Sequence, residues 1–172
     1  MRKARGARVV SLSSRAHSRA GVDFDDPHFE RRPYDKWIAY AQSKTATALF
    51  AVALDARGEA HRVRAFSVHP GAVVTELMRH MSDQEIRAAV AASNDVSSLK
   101  SAEQGAATSV WCATSSELEG MGGVYCEDTD IAEAVAADFP GPGGVRPWAM
   151  DKDFAERLWK MSETWTGATL SE

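Results

Sequence analysis

Apolar and polar residues alternate along the chain in runs that predict strands and helices in turn. Residues 8–12 are a short β-branched run, residues 62–68 alternate, and residues 122–126 form a third short apolar run. From Trp37 to Ala56, apolar residues recur at spacings of three and four, which predicts an amphipathic helix that Gly58 ends. Strands joined by crossovers of this length run parallel, so the pattern predicts a layered α/β fold.

Further helices are predicted in the second half of the chain. Ser82–Glu85 and Ser101–Gln104 both have the spacing of a capping box, and each predicts the start of a helix. The apolar positions from Phe154 to Trp165 predict a final amphipathic helix. Residues 15–36 and 139–147 are polar or rich in proline and glycine, which predicts two loops.

Composition narrows the class of protein. The chain has 172 residues with 44% apolar residues and a formal net charge of −4, which indicates one folded domain and argues against a nucleic-acid-binding module. No apolar run reaches 18 residues, so we expect no membrane span and a cytoplasmic location. The two cysteines, Cys112 and Cys126, and five unclustered histidines predict neither a disulfide framework nor a metal site. We expect the histidines to have surface or turn roles.

The pair Tyr40 and Lys44 is the strongest chemical feature. The two residues are four apart, so they lie on one face of the predicted helix. A tyrosine ordinarily titrates near pH 10, and a nearby ammonium favours the phenolate that acid/base work requires. The same spacing also occurs in ordinary solvated helix pairs, so the pair by itself leaves both interpretations open.

Two further segments stand where strands are predicted to end. Ser13 and Ser14 follow the first strand, where α/β sheets bind ligands, and a serine hydroxyl there can donate to a substrate carbonyl. His69–Gly71 follows the second strand and lets the backbone pass close to a flat ligand, with the Thr75 hydroxyl just beyond. Each segment is also compatible with a simple strand-ending turn.

These three segments, in this order, resemble the short-chain dehydrogenase/reductase family from Arg8 to about Cys126. The loop between the serines and Tyr40, and the tail from Ala155 to Glu163, are most similar to the retinol-dehydrogenase-like branch. The resemblance implies the C-terminal half of a Rossmann-like, doubly wound parallel sheet, with about three strands and flanking helices.

The resemblance also assigns roles to residues. Tyr40 would be the acid/base, Lys44 would bind the nicotinamide ribose and favour the phenolate of Tyr40, and Ser14 would polarise the substrate carbonyl. Ser13 is the alternative serine if the register shifts by one residue. Contacts with the cofactor, NAD or NADP, would come from Tyr40, Lys44, Pro70, Gly71 and Thr75.

The glycine-rich turn with which the family binds the cofactor pyrophosphate is absent. Residues 141–146 and 120–125 each place a non-glycine residue where the third glycine belongs. The resemblance therefore implies that residues 1–172 are a single incomplete dinucleotide-binding domain. Residues 8–126 would be its catalytic and nicotinamide-side core, and residues 127–172 a C-terminal loop and helix extension.

Two functions of different class follow. The first is a short-chain-type oxidoreductase that transfers a hydride between NAD(P) and a carbonyl or alcohol, present as a truncated C-terminal half and inactive in isolation. Apolar residues in the predicted lid, residues 76–100, suggest an apolar substrate.

The alternative is a non-catalytic fragment or interaction module that pairs with an intact relative through the 37–56 helix. The resemblance implies a homo-oligomer through the 37–56 and 102–115 helices. The strand at residues 8–12 is expected to lie at the edge of the sheet, with one side unpaired.

Overall fold

A computed structural model of the chain describes residues 2–4, 6–73 and 99–170. The described strands are β1 (Ala7–Leu12), β2 (Val63–His69), β3 (Ala72–Val73), β4 (Leu99–Lys100), β5 (Val124–Glu127) and β6 (Asp130–Ile131). The described α-helices are α1 (Lys36–Gly58), α2 (Ala102–Thr114) and α3 (Lys152–Thr166). Short 3-10 segments are Arg2–Ala4, Arg15–Arg19, Glu59–His61, Ser116–Leu118 and Pro147–Ala149. The helix predicted to begin at Ser82 lies outside the described residues.

The main sheet contains the three predicted parallel strands. Its order is β1-β2-β5-β6, with β1, β2 and β5 parallel and β6 antiparallel to β5. The predicted parallel arrangement is therefore confirmed, whereas the two-residue strand β6 was not predicted. β1 lies at the edge of the described sheet, as expected, and Leu12 at its end is 52% exposed. A separate ladder of two residues joins β3 to β4.

Helix α1 begins where a side chain satisfies its free N–H groups. The Asp35 carboxylate accepts hydrogen bonds from the backbone N–H groups of Trp37 and Ile38. At the other end, Gly58 is the last residue of α1, and its φ of −88° is one that any residue can adopt. A Cβ at Gly58 would lie 2.4 Å from the Val63 carbonyl oxygen, so the glycine permits close approach of β2. The expectation that the helix ends at Gly58 is confirmed, and the chain continues into a 3-10 turn.

The sheet is covered on both faces. Val9 and Ala65 pack with buried residues of α1 on one face. Val10 and Phe66 face the opposite way and pack with Cys112 of α2. This alternation along β1 and β2 has the period of two that strands impose. Helix α3 lies beside α1 and contributes buried residues to a shared cluster. Helices α1 and α3 therefore cover one face of the sheet, and α2 covers the other.

The predicted helix at residues 102–115 begins with the expected capping box. The Ser101 hydroxyl accepts from the Gln104 backbone N–H, and the Gln104 side chain accepts from the Ser101 backbone N–H. Since α1 and α2 lie on opposite faces of the sheet, an oligomer built through both helices would use two separate surfaces. That oligomer stays a prediction. Among the described helices, none has the length and apolarity needed to cross a bilayer.

An ion pair between half-buried Arg64 and buried Asp55 joins the C-terminal end of α1 to the start of β2. The Arg64 guanidinium donates two hydrogen bonds to Asp55, at 2.9 and 2.8 Å, and the Ala65 backbone N–H donates a third at 2.9 Å. Gly122 makes room for this cluster, because a Cβ there would lie 1.9 Å from the Asp55 carboxylate. The pair therefore fixes helix, strand and the loop before β5 together.

We expect Asp55→Ala to lower the free energy of unfolding by roughly 2 kcal/mol, because the buried Ala65 N–H loses its acceptor and the half-buried Arg64 guanidinium keeps only Glu59 and the Gly120 carbonyl. The matched control is Asp25→Ala, which removes an exposed carboxylate paired with Arg157 and costs less than about 1 kcal/mol. Urea unfolding of the three chains measures both changes. Equal losses in the two variants would contradict the role given to Asp55.

Candidate active site

The two serines after β1 have different environments. Ser13 is 2% exposed, and its hydroxyl donates to the Lys44 carbonyl oxygen at 2.7 Å. Ser14 is half-buried, and its hydroxyl oxygen accepts from the Ala16 backbone N–H at 3.2 Å. Accepting this bond leaves the Ser14 O–H proton available for a ligand, whereas the Ser13 proton is used. Ser14 is therefore the serine that can donate to a substrate.

Tyr40 and Lys44 lie side by side on α1, as the spacing predicts. The Lys44 Nζ is 5.6 Å from the centroid of the Tyr40 ring. It also donates to the Leu12 carbonyl oxygen at 3.2 Å, which holds the side chain at the end of β1. An ammonium has three N–H groups, so two remain for other acceptors. Tyr40 is 40% exposed, which leaves its phenol accessible to a ligand.

The Tyr40 ring borders a cavity of about 510 Å³, which we call the Tyr40 cavity. Its described lining is Arg15, Ala16, Ser18, Arg19, Trp37, Tyr40, Pro140, Gly141 and Pro142. The cavity thus brings the loop after β1, the start of α1 and the loop at residues 140–142 to one place.

The Pro70-Gly71 turn follows β2 and borders a second cavity of about 510 Å³, which we call the Gly71 cavity. Its described lining is Arg15, Gly71, Ala72, Leu99, Lys100, Gln104, Ala107, Thr108, Asp128 and Thr129. Gly71 has a φ of +92°, which favours glycine, and a Cβ there would lie 2.6 Å from the flexible Lys100 side chain, which would have to shift. Thr75 lies outside the described residues, and its contact with a cofactor stays a prediction.

His69, the last residue of β2, is buried beneath this turn. Its Nδ1 accepts from the backbone N–H groups of Arg15, at 3.2 Å, and Gly71, at 3.4 Å. Backbone N–H groups can only donate, so Nδ1 carries no proton and the ring proton is on Nε2. Nε2 has no hydrogen-bond partner among the described residues. Burial, together with the Arg15 guanidinium, lowers the pKa of His69 to about 4, so the ring is neutral near pH 7.

His17 has the opposite tautomer. Its Nε2 accepts from the Arg146 backbone N–H at 3.2 Å, so the proton is on Nδ1. Nδ1 lies 2.9 Å from the Ser14 carbonyl oxygen and 3.1 Å from the Tyr125 hydroxyl. Burial is the main cause that lowers the pKa of His17, and the Ser14 carbonyl partly offsets it.

The two histidines therefore hold one peptide group at both of its polar atoms. His17 donates to the C=O of Ser14, and His69 accepts from the N–H of Arg15. We call this arrangement the peptide clamp. The expected surface location is wrong for these two histidines, which are 1% and 6% exposed, whereas His69 has the expected turn role because it accepts from the Gly71 N–H. The available sequence signal was their position, three residues after Ser14 and directly before the Pro-Gly turn.

Other candidates for chemistry are less accessible. Burial raises the pKa of the Tyr125 phenol above its ordinary value, whereas the Tyr40 phenol faces solvent. Cys112 and Cys126 are both buried, the first on α2 and the second on β5. Among the described residues, no group of three histidine, cysteine, aspartate or glutamate side chains could hold a metal ion.

Curated relatives match nearly the whole chain. A protein of Streptomyces antibioticus named "probable oxidoreductase" is 44% identical over 165 residues, 93% of this chain and 55% of its own length. The "short-chain dehydrogenase/reductase prx1" of Penicillium roqueforti is 33% identical over 156 residues, 91% of this chain and 46% of its own. Human "retinol dehydrogenase 14" is 32% identical over 161 residues, 94% of this chain and 44% of its own. The chain thus spans about half the length of the curated relatives it matches. No protein-family model matches it.

Solved structures have the same fold. A protein from Mycobacterium paratuberculosis superposes with a TM-score of 0.63 at 24% identity, covering 97% of this chain and 53% of its own. A short-chain dehydrogenase from the same organism, bound to NAD, superposes with a TM-score of 0.51 at 22% identity, covering 74% and 46%. These likenesses confirm the predicted Rossmann-like α/β fold.

The peptide clamp predicts a pH-dependent stability. Folded His69 stays neutral down to its pKa of about 4, whereas an unfolded histidine takes up a proton below about pH 6.5. The unfolded chain therefore binds more protons between these values, and the free energy of unfolding falls as the pH drops from 6.5 to 4. The contribution of His69 to this fall is about 3 kcal/mol.

The variant His69→Asn keeps an acceptor for the Arg15 N–H but does not titrate, so we expect its unfolding free energy to fall less over this range. His69→Leu removes the acceptor and should lose roughly 1–3 kcal/mol at pH 7. The control His61→Asn changes an exposed histidine and should keep the original slope. Urea unfolding between pH 7 and 4.5 measures the slopes, and an unchanged slope in His69→Asn would contradict the assignment.

Proposed function

Since the chain belongs to the short-chain dehydrogenase/reductase family, we propose that it is the catalytic and nicotinamide-side part of an oxidoreductase. The reaction is hydride transfer between NAD or NADP and a carbonyl or alcohol. The observation that carries the proposal is the placement of the available Ser14 hydroxyl, the exposed Tyr40 phenol and Lys44 around the end of β1.

The proposed proton chemistry belongs to Tyr40. In the direction of carbonyl reduction, its phenol donates a proton to the substrate oxygen, and in alcohol oxidation the phenolate removes that proton. Ser14 donates its O–H to the same oxygen, which stabilises the negative charge that develops there. The Lys44 ammonium, next to the Tyr40 ring, stabilises the phenolate.

The residues at the two strand ends fit the nicotinamide end of the cofactor. Lys44 has two N–H groups free for ribose hydroxyls, and Gly71 exposes backbone without a side chain. Pro70 and Thr75 complete the proposed contacts, Thr75 on the sequence alone. When bound, the cofactor would supply or accept the hydride. One structural neighbour is bound to NAD, and the choice between NAD and NADP for this chain is left to titration.

The pyrophosphate needs donors that the described site does not offer. The sequence has no glycine-rich turn after a strand, and the chain spans about half the length of its curated relatives. We propose that residues outside this sequence bind the phosphates in the active protein. The relatives are named as oxidoreductases or dehydrogenases, which does not favour the alternative of a non-catalytic interaction module. Truncation, a homo-oligomer, a cytoplasmic location and an apolar substrate stay predictions.

We expect Tyr40→Phe to lower kcat for NAD(P)H-dependent carbonyl reduction by at least about 100-fold, because it removes the acid/base proton while keeping the ring. The assay uses any longer protein that contains this chain. Tyr34→Phe is the matched control, since Tyr34 is 71% exposed and lies outside the Tyr40 cavity. Activity of Tyr40→Phe within a few-fold of the original would exclude the proposed role.

The chain by itself should bind NADH and NADPH weakly, with Kd values well above micromolar, because the phosphate anchor is missing. Fluorescence titration with each nucleotide measures this. Micromolar binding of either one would show that the chain holds the phosphates by another route.

A further inference from the structure

The Tyr40 cavity carries positive charge without a matching negative charge in its described lining. Arg15 and Arg19 both border it, and no described carboxylate does. Within the described part of the chain, neither guanidinium has an ion pair. Five other arginines each pair with a carboxylate within 4.0 Å, namely Arg8, Arg32, Arg57, Arg64 and Arg157. The two cations beside Tyr40 are thus available to a ligand.

The neighbouring carboxylates are already engaged elsewhere. Asp35, at the start of α1, is the N-cap and accepts two backbone N–H groups. Asp128 is paired with Lys100 and borders the Gly71 cavity. Lys100 is the main cause that lowers the pKa of Asp128, and Arg15 contributes less. A ligand anion would therefore not have to displace an internal ion pair from Arg19.

The rest of the cavity wall suits an apolar body. The Arg19 guanidinium lies 5.8 Å from the centroid of the Trp37 ring, so the charge and the aromatic face adjoin. Ala16 and the two prolines, Pro140 and Pro142, add apolar surface. A volume of about 510 Å³ is in the range of small-molecule sites.

The backbone of Arg15 is held in place by a hydrogen bond. Its backbone N–H is held by His69 in the peptide clamp, directly after Ser14. Arg15 borders both the Tyr40 cavity and the Gly71 cavity. An anionic group bound in the Tyr40 cavity would share that cavity with Tyr40, the residue proposed to transfer the proton.

We propose that the Tyr40 cavity selects a substrate that is a carboxylate: a carbonyl or alcohol compound with an apolar body against Trp37 and a carboxylate bound by Arg15 and Arg19. This inference rests on the proposed function and specifies its substrate class. Guanidinium and carboxylate groups match in bidentate geometry, and the bond is strengthened by charge. The oxygen that reacts is the one to which the Ser14 and Tyr40 hydroxyls would donate hydrogen bonds.

The test compares two probes of nearly the same size, 4-oxo-4-phenylbutanoate, which is an anion, and its primary amide, which is neutral. The 172-residue chain is titrated with each, and binding is followed by the NMR shift of the Trp37 indole N–H, assigned with Trp37→Phe. We expect the acid to bind roughly tenfold more tightly than the amide. Equal affinities, or no saturable binding of the acid, would overturn the proposal.

Variants locate the effect. Arg15→Gln and Arg19→Gln should each weaken acid binding roughly fivefold to tenfold and leave amide binding within about twofold. Arg19→Lys keeps the charge without the bidentate fork and should be intermediate. Arg62→Gln is the matched control, because Arg62 is exposed, has no ion pair among the described residues and borders a different cavity. Equal loss of acid and amide binding in Arg19→Gln would also overturn the proposal.

Binding and catalysis can fail separately. Tyr40→Phe should keep the preference for the acid, because the phenol oxygen is not part of the anion site. If the acid preference is absent while Tyr40→Phe abolishes turnover, only the substrate class is wrong. If the preference is present while Tyr40→Phe remains active, only the proposed role of Tyr40 is wrong.

Discussion

The peptide group between Ser14 and Arg15 is bonded at its carbonyl by His17 and at its N–H by His69. Both rings are buried and neutral, and each must have its own tautomer for the two bonds to form together. The Ser14 carbonyl also accepts from the His17 backbone N–H at 3.0 Å, so the backbone and the ring of His17 together satisfy this carbonyl where the chain turns after β1. Protonation of either ring would place a charge in the interior.

The clamp connects segments that are distant in sequence. His17 also meets Tyr125 of β5 and the backbone of Arg146, while His69 also meets Gly71. These hydrogen bonds join four segments at the carboxyl ends of the parallel strands, namely the end of β1, the Pro-Gly turn, β5 and the loop before α3. The Asp55–Arg64 pair plays the corresponding part at the start of β2. Between these two networks, α1 carries Tyr40 and Lys44 on a rigid support.

The clamp also relates the proposed catalytic groups to the proposed anion site. Ser14 and Arg15 share the clamped peptide, so the hydroxyl that would address the carbonyl and the cation that would hold a carboxylate are adjacent on a fixed backbone. Arg19 and Trp37 bring the second cation and the aromatic wall to the same cavity. One local conformation thus sets both where a substrate would react and which charge it would bear.

Features with a local cause could be predicted from the sequence. The helical period from Trp37 to Ala56 places Tyr40 and Lys44 on one face whatever surrounds them, and the capping box at Ser101 needs only neighbouring residues. The parallel strands follow from their long crossovers. The ordered serine, tyrosine and Pro-Gly segments were enough to indicate the family.

Long-range contacts decided the rest. Whether Ser13 or Ser14 is available depends on the Lys44 carbonyl 31 residues away, and the burial of His17 depends on residues more than 100 positions further along. Gly58 ends α1 as predicted, but the close approach of Val63 to it comes from the fold, and β6 forms only because β5 offers an edge. The sequence by itself determined the elements and the chemical types of the site residues. Only the tertiary structure decided which hydroxyl is free, which histidines are neutral and which arginines are unpaired, because each of these depends on partners that the fold brings together.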